Sequence, residues 1–247
     1  MPFTQLRNES INLRANVEPS SDLKLQIDLK KETTDSYQEI FRYDPSQDYA
    51  DPLTGYASLN PSRGGSYRIS FLSIKTAFKS SNDKTESDVF KTFEENLNIV
   101  RNRFSVINNN AEYDTTSQDV LIPAFLAAYS GRDVNTLDLS PFPNIPLPNW
   151  RLEYTGLTKI GFFKNMFQSV SITHGYQSTY SVMNYANSLE FTDTEALEID
   201  KPIEDYNRNY FGTTVDGKFL PVYVISQVLI SEQFSPLIGI NVRTKSR

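Results

Sequence analysis

The sequence has no cysteine, so disulfides, thiolate metal sites and cysteine nucleophiles are excluded together. Histidine is nearly as scarce: the single His174 is the only imidazole available for acid–base or ligand chemistry. No apolar run approaches the ~20 residues that a membrane-spanning helix needs. Excess positive charge is missing too, with 24 Lys+Arg against 30 Asp+Glu and a net charge of -6. The basic residues are scattered singly, which argues against a nucleic-acid partner. There is no glycine-rich phosphate loop, nucleophile elbow or paired-histidine zinc motif. Residues 1–7 lack the apolar core and small-residue cleavage site of a signal peptide, and the chain stops directly after the alternation Ile238, Ile240, Val242. Both ends therefore read as boundaries of a fragment.

What is abundant is aromatic surface in an otherwise polar chain: 14 Tyr, 16 Phe and 1 Trp make 13% of the residues, while mean hydropathy is -0.44. That balance suits strands in which only alternate residues are apolar, including the strands of a membrane barrel.

Period-two patterning opens the chain. Ile11, Leu13, Ala15 and Val17 alternate with Asn12, Arg14, Asn16 and Glu18, and after the turn signal Pro19-Ser20-Ser21-Asp22, Leu23, Leu25, Ile27 and Leu29 alternate with Lys24, Gln26, Asp28 and Lys30. The two runs predict a β-hairpin with one apolar face. Residues 43–63 carry no period and read as a loop closed by Gly64-Gly65. A strand is expected over 66–78, with Leu72 and Ile74 on the opposite parity from Tyr67, Ile69 and Phe71, which predicts a bulge or burial on both faces.

Residues 79–149 break the pattern. Val89, Phe90, Phe93, Leu97, Val100 and Phe104 recur at helical spacing after a cap at Ser87 or Asp88, and that helix should end near Asn108-Asn109-Asn110. A second short helix fits 119–129, with Gly131 just past its end. Pro141, Pro143, Pro146 and Pro148 then form a stiff strap that returns the chain to strands at 150–157, 169–176, 178–185, 221–234 and 238–243. Three sections result: strands and a loop in 1–78, a helical excursion in 79–149, and strands in 150–247.

Candidate chemistry is thin. His174 sits in a strand and reads as hydrogen-bonded to a neighbour. Asp44, Ser46 and Asp48 have the first spacings of a calcium loop, but Tyr49 and Gly55 occupy the positions of its glycine and terminal glutamate. Glu94-Glu95 and Glu204-Asp205 are sequence neighbours and so do not converge as an acid/base pair. No catalytic, metal or cofactor residue is assigned, and no enzyme activity is expected. Trp150, Tyr154, Phe162, Phe163, Phe167, Tyr176, Tyr180 and Tyr185 crowd one region near strand ends. In a barrel they would make interfacial girdles, with Trp150, Tyr154, Tyr176 and Tyr180 as the candidates; in a soluble β-sandwich they would be core. Pattern alone leaves both open.

Longer runs carry a family resemblance. Pro148-Asn149-Trp150-Arg151-Leu152-Glu153-Tyr154-Thr155-Gly156-Leu157-Thr158-Lys159, Ser169-Val170-Ser171-Ile172-Thr173-His174-Gly175-Tyr176-Gln177-Ser178-Thr179-Tyr180, and the end Phe234-Ser235-Pro236-Leu237-Ile238-Gly239-Ile240-Asn241-Val242-Arg243-Thr244-Lys245-Ser246-Arg247 resemble the SprA/Sov family of Bacteroidetes outer-membrane proteins. So do Asn12-Leu13-Arg14-Ala15-Asn16-Val17-Glu18-Pro19, Tyr37-Gln38-Glu39-Ile40-Phe41-Arg42-Tyr43 and Asp119-Val120-Leu121-Ile122-Pro123-Ala124-Phe125. The resemblance implies a giant outer-membrane barrel, the translocon of type IX secretion, through whose gated lumen folded cargo reaches the cell surface and on which gliding motility depends. It also implies a companion barrel of the PorV type at a lateral opening, a periplasmic plug protein and no cofactor. Members of the family are many times longer than this chain. The fold expected is thus mainly β: antiparallel strands of a large transmembrane barrel wall, with one long loop excursion carrying two short helices. Ile11, Leu13, Val17, Leu23, Leu25, Ile27 and Leu29 are then the lipid-facing candidates. The competing reading is a soluble β-rich surface binding or adhesin module.

Overall fold

A computed structural model describes residues 1–43, 56–79, 87–107, 113–191, 197, 200–205, 212–213 and 219–245. The chain is mainly β, and its principal sheet is antiparallel. β1 (Pro2–Ser20) and β2 (Leu23–Tyr43) form the expected hairpin about the turn at Ser21 and Asp22, but both strands run far beyond the apolar alternation. At 19 and 21 residues, they span roughly 65 Å at about 3.3 Å per residue.

β3 (Tyr56–Ser70) pairs with β2 from Tyr43 back to Lys31. The excursion follows, with α1 (Asp88–Ile107) and α2 (Gln118–Ser130). β4 (Asn149–Tyr154) then takes up the same side of β2 where β3 left it: Ile69 lies opposite Lys31, and Asn149 lies opposite Asp28. Ser70 bridges the join, its hydroxyl accepting from Lys30 N at 3.1 Å and its carbonyl from Leu147 N at 2.9 Å. Residues 71–148 are therefore inserted into a single strand column.

A 3₁₀ turn (Gly156–Lys159) and α3 (Gly161–Met166) lead to β5 (Phe167–Asn187), which pairs with both β4 and β3. The short ladder of β6 (Gly212–Thr213) with β7 (Phe219–Leu220) stands apart from the main sheet. β8 (Tyr223–Phe234) and β9 (Gly239–Thr244) share the far side of β5, separated by an irregular step with a cis Ser235-Pro236 bond. The seven strands thus fill five antiparallel columns, in the order β1, β2, β3 with β4, β5, and β8 with β9.

Several expectations change. Gly64 and Gly65 do not close a loop; they lie inside β3, where a Cβ on Gly65 would collide with the Thr34 carbonyl and one on Gly64 would sit 2.7 Å from the Tyr185 carbonyl. Close strand approach is what selects glycine there. The strand expected over 66–78 ends at Ser70, so the parity break at Leu72 and Ile74 marks a turn rather than a bulge. The two strands expected over 169–185 are one, β5. The first helix is 20 residues long, about 30 Å, and is not short. The second ends as predicted: Gly131 has φ 63°, and the Gly131 and Arg132 amides donate to the Ala128 and Ala127 carbonyls, closing a Schellman motif.

The core lies between the excursion and one half of one sheet face. Tyr67, Ile69 and Phe71 of β3 and its end, with Tyr180, Val182 and Tyr185 of β5, meet Val100 and Phe104 of α1, Val120 and Leu126 of α2, Leu139 just before the strap and Phe142 within it. Tyr180 donates to the Pro141 carbonyl at 2.9 Å and Tyr67 to that of Pro143, so the proline strap, which offers few N–H donors, supplies acceptors instead.

Candidate functional site

Residues directly opposite one another in an antiparallel sheet share a face. Leu13 lies opposite Leu29 and Val17 opposite Leu25. Leu23, Leu25 and Ile27 lie opposite Tyr154, Leu152 and Trp150. The row continues through Ile172, His174 and Tyr176 of β5 to Ile240, with Val170 opposite Val242. One apolar face thus crosses all five columns. It includes every lipid-facing candidate and adds Leu152, Ile172, Ile240 and Val242, whose alternation was visible in the sequence.

The same face carries the excursion. On β5 the even positions run from Ile172 and Tyr176 into Tyr180 and Val182, and on β2 the odd positions run from Leu29 through Lys31 into the buried Thr33 and Asp35. The far half of this face is roofed by the described residues of 71–148 and by 200–204; the half next to the Ser21–Asp22 turn has no such roof, although Val170 within it is buried at 3% exposed. There Leu13 is 58% exposed and Ile240 63%, although both point to the apolar side.

The opposite face is largely polar, although Leu6, Met183, Val224 and Leu229 are exposed on it. Asn12, Arg14, Gln26, Asp28, Lys30, Asn149, Arg151, Gln177 and Gln233 line one trough of about 670 Å³ along it. A second trough, about 470 Å³, holds Asn8, Ser10, Glu32, Thr34, Ser66, Arg68 and Ser181. Arg14 and Asp28 pair across the first trough at 2.6 Å.

Aromatic rings border the bare region. Trp150 stacks on Tyr176 (4.5 Å between centroids), and Tyr176 and His174 contact Phe234. At the turn end, Tyr154 covers Gly156, and Phe162, Phe163 and Phe167 form a chain of ring contacts. Trp150 and Tyr154 are half-buried at the two borders of this region. Tyr176 and Tyr180 must be corrected: they are 2% and 0% exposed. Tyr180 lies under the proline strap, and Tyr176 is held by Ser73 N at 2.9 Å and Glu232 at 2.8 Å. Neither ring reaches a surface of this chain, because the excursion folds back over them.

Three polar clusters fasten the roof. Arg63, 1% exposed, pairs with Asp35 at 3.2 Å and donates to the Lys201 carbonyl at 2.9 Å; Tyr185 OH also donates to Asp35. Lys31 pairs with Glu204 and donates to Asn144 Oδ1 at 3.0 Å. Ser73 Oγ, Ser178 Oγ and Glu232 interlink at 3.0 and 2.7 Å where the excursion departs. Within the excursion, Arg103 donates to the Val134 and Leu137 carbonyls, and its burial holds its pKa below the usual range. The Asn135 backbone and side-chain N–H groups hold the Asp133 carboxyl below its ordinary value.

His174 is hydrogen-bonded to the Leu237 carbonyl at 2.6 Å, as a strand histidine satisfied by a neighbour. Glu94 and Glu95 are solvent-exposed on α1. Asp44, Ser46 and Asp48 lie outside the described residues. Among the described residues, no three His, Asp or Glu side chains gather to hold a metal, and no helix is long and apolar enough to cross a membrane. No family model matches the sequence, and no curated protein matches it either.

Proposed function

We propose that the chain is a section of the wall of a large outer-membrane β-barrel translocon of the SprA/Sov kind, exporting secreted proteins to the cell surface. One observation carries the reading: a largely polar face with two troughs backed by an apolar face, half of which has no roof. A barrel wall in lipid needs this arrangement, with polar residues toward the lumen and an apolar band toward the acyl chains. A soluble sheet covers its apolar face. The bare run along β2, Leu23 to Leu29, covers about 20 Å at strand rise, and its bordering rings bring it near the ~25 Å apolar band of outer-membrane barrels. Among the described residues β1 pairs on one side only, and so do β8 and β9; in a wall these edges continue into neighbouring strands. The polar troughs are then where cargo would pass. The companion barrel and the periplasmic plug belong to the same proposal, by resemblance.

The soluble adhesin reading is favoured by the roofed half, which is an ordinary two-layer core of helices on a sheet. It requires another protein layer over the bare half. Alkaline extraction of membranes from cells making the whole protein separates the two. A wall section stays with the outer membrane and leaves it only with detergent, and Leu25→Pro, which removes a ladder donor from an inner column, traps secreted proteins in the periplasm. Release into the soluble fraction without detergent overturns the proposal.

A further inference from the structure

The excursion and the bare band share a face, and this has a topological consequence once the wall reading is adopted, on which the following rests. A lumenal plug or gate would lie on the polar face, over Gln26, Arg68 and the troughs. Residues 71–148 instead cover Tyr67, Ile69, Tyr180 and Val182, which are continuous in parity with Leu25, Ile27, Ile172 and Tyr176. If the bare half looks into lipid, the roofed half looks the same way and stands above the bilayer.

The rim of the roof is built for a water–lipid boundary. Phe78, 67% exposed, packs its ring 5.2 Å from Phe234 in the aromatic row that borders the band. Ile145, 76% exposed, lies on the strap between Asn144, which accepts from Lys31, and Leu147, which donates to Ser70 at the splice of the column. Both are large apolar side chains at the edge where the roof stops and the bare face starts. Lys75 and Lys79 flank Phe78 in sequence, and cationic stems beside an aromatic ring suit anionic headgroups. The two-residue turn between β1 and β2 lies at the far end of the band. In outer-membrane barrels short turns are periplasmic, so the roof is on the cell-surface side.

We infer that the described residues of 71–148 form a collar outside the barrel, seated on the outer leaflet of the membrane with Phe78 and Ile145 at headgroup depth, and leave the lumenal face unobstructed.

These 247 residues hold no cysteine, and any cysteine elsewhere in the whole protein is first replaced by serine so that single substitutions report cleanly. Leu13→Cys, Asn12→Cys, Phe78→Cys, Ile145→Cys and Val106→Cys are placed in the whole protein, labelled with an environment-sensitive fluorophore and reconstituted into phosphatidylcholine liposomes. The liposomes carry a quencher either on the headgroup or deep in the acyl chain. The expected result is deep quenching at position 13 and none at 12. Positions 78 and 145 are quenched several times more by the headgroup probe than by the deep one, and position 106 by neither. Deep quenching at 13 with no lipid quenching at 78 and 145 overturns the collar and leaves the wall standing. Equal response at 12 and 13 overturns the wall, and the collar with it.

Discussion

Substituting arginine into the bare face tests the two-faced sheet at the level of energy. Leu13 is at the centre of the apolar run of β1, 58% exposed, opposite Leu29; its neighbour Asn12 points to the polar trough. If water covers the bare face, Leu13→Arg removes little: an exposed substitution away from special features stays within about 0.5 kcal/mol, and the arginine stem can lie over Leu29. If lipid covers it, the guanidinium must be buried among acyl chains, at about 2–4 kcal/mol near the midplane and about 0–1 near an interface. A midplane cost of that size shifts the ratio of assembled to unassembled protein roughly 30- to 700-fold. Val17, next to the turn, is nearer the border, so Val17→Arg should cost less than Leu13→Arg, and Asn12→Arg should cost nothing measurable. The assay is urea titration of the whole protein from liposomes, with protease resistance reporting the assembled form. Equal midpoints for Leu13→Arg and Asn12→Arg would refute the lipid-facing assignment. A flat response across positions 13 and 17 would refute the band.

Other outcomes follow from single contacts. Arg63→Met strips Asp35 of its buried partner and should destabilise the roofed half by about 3–5 kcal/mol, read as early loss of protease protection near Lys201. Gly65→Ala forces β2 and β3 apart at Thr34 and should cost at least the ~1–3 kcal/mol of an overpacked site, seen as a lowered thermal midpoint. The Asp133 carboxyl should titrate below its ordinary value by NMR, and Asn135→Ala should raise it part of the way, since the backbone donor remains. Because the folded-state pKa is the lower one, this contribution to stability is present above the ordinary carboxylate pKa and is lost as pH falls through the folded value. His174→Ala removes one hydrogen bond to Leu237, worth about 1 kcal/mol, and should leave secretion intact; abolished secretion with normal assembly would assign His174 a role the geometry does not supply.

Local pattern was enough to read much of this protein. The alternation from Ile11 to Leu29 specified a hairpin and sorted its side chains onto two faces, because strand parity is a property of neighbouring residues. The spacing from Val89 to Phe104, and Gly131 beyond the second apolar run, likewise located α1 and the end of α2 from local rules alone. What the sequence could not express was coverage. Nothing near Ser70 announces that Asn149 will resume its column, because the two are brought together by the flanking strands β2 and β5, far from both in sequence. Nothing near Tyr180 says that Pro141 will close over it while Leu13, of equally apolar character and on the same face, stays bare. Parity decides which way a side chain points. What meets it there is decided by chain segments far away in sequence, and so the division of one apolar face into a roofed half and a bare half exists only in the tertiary structure.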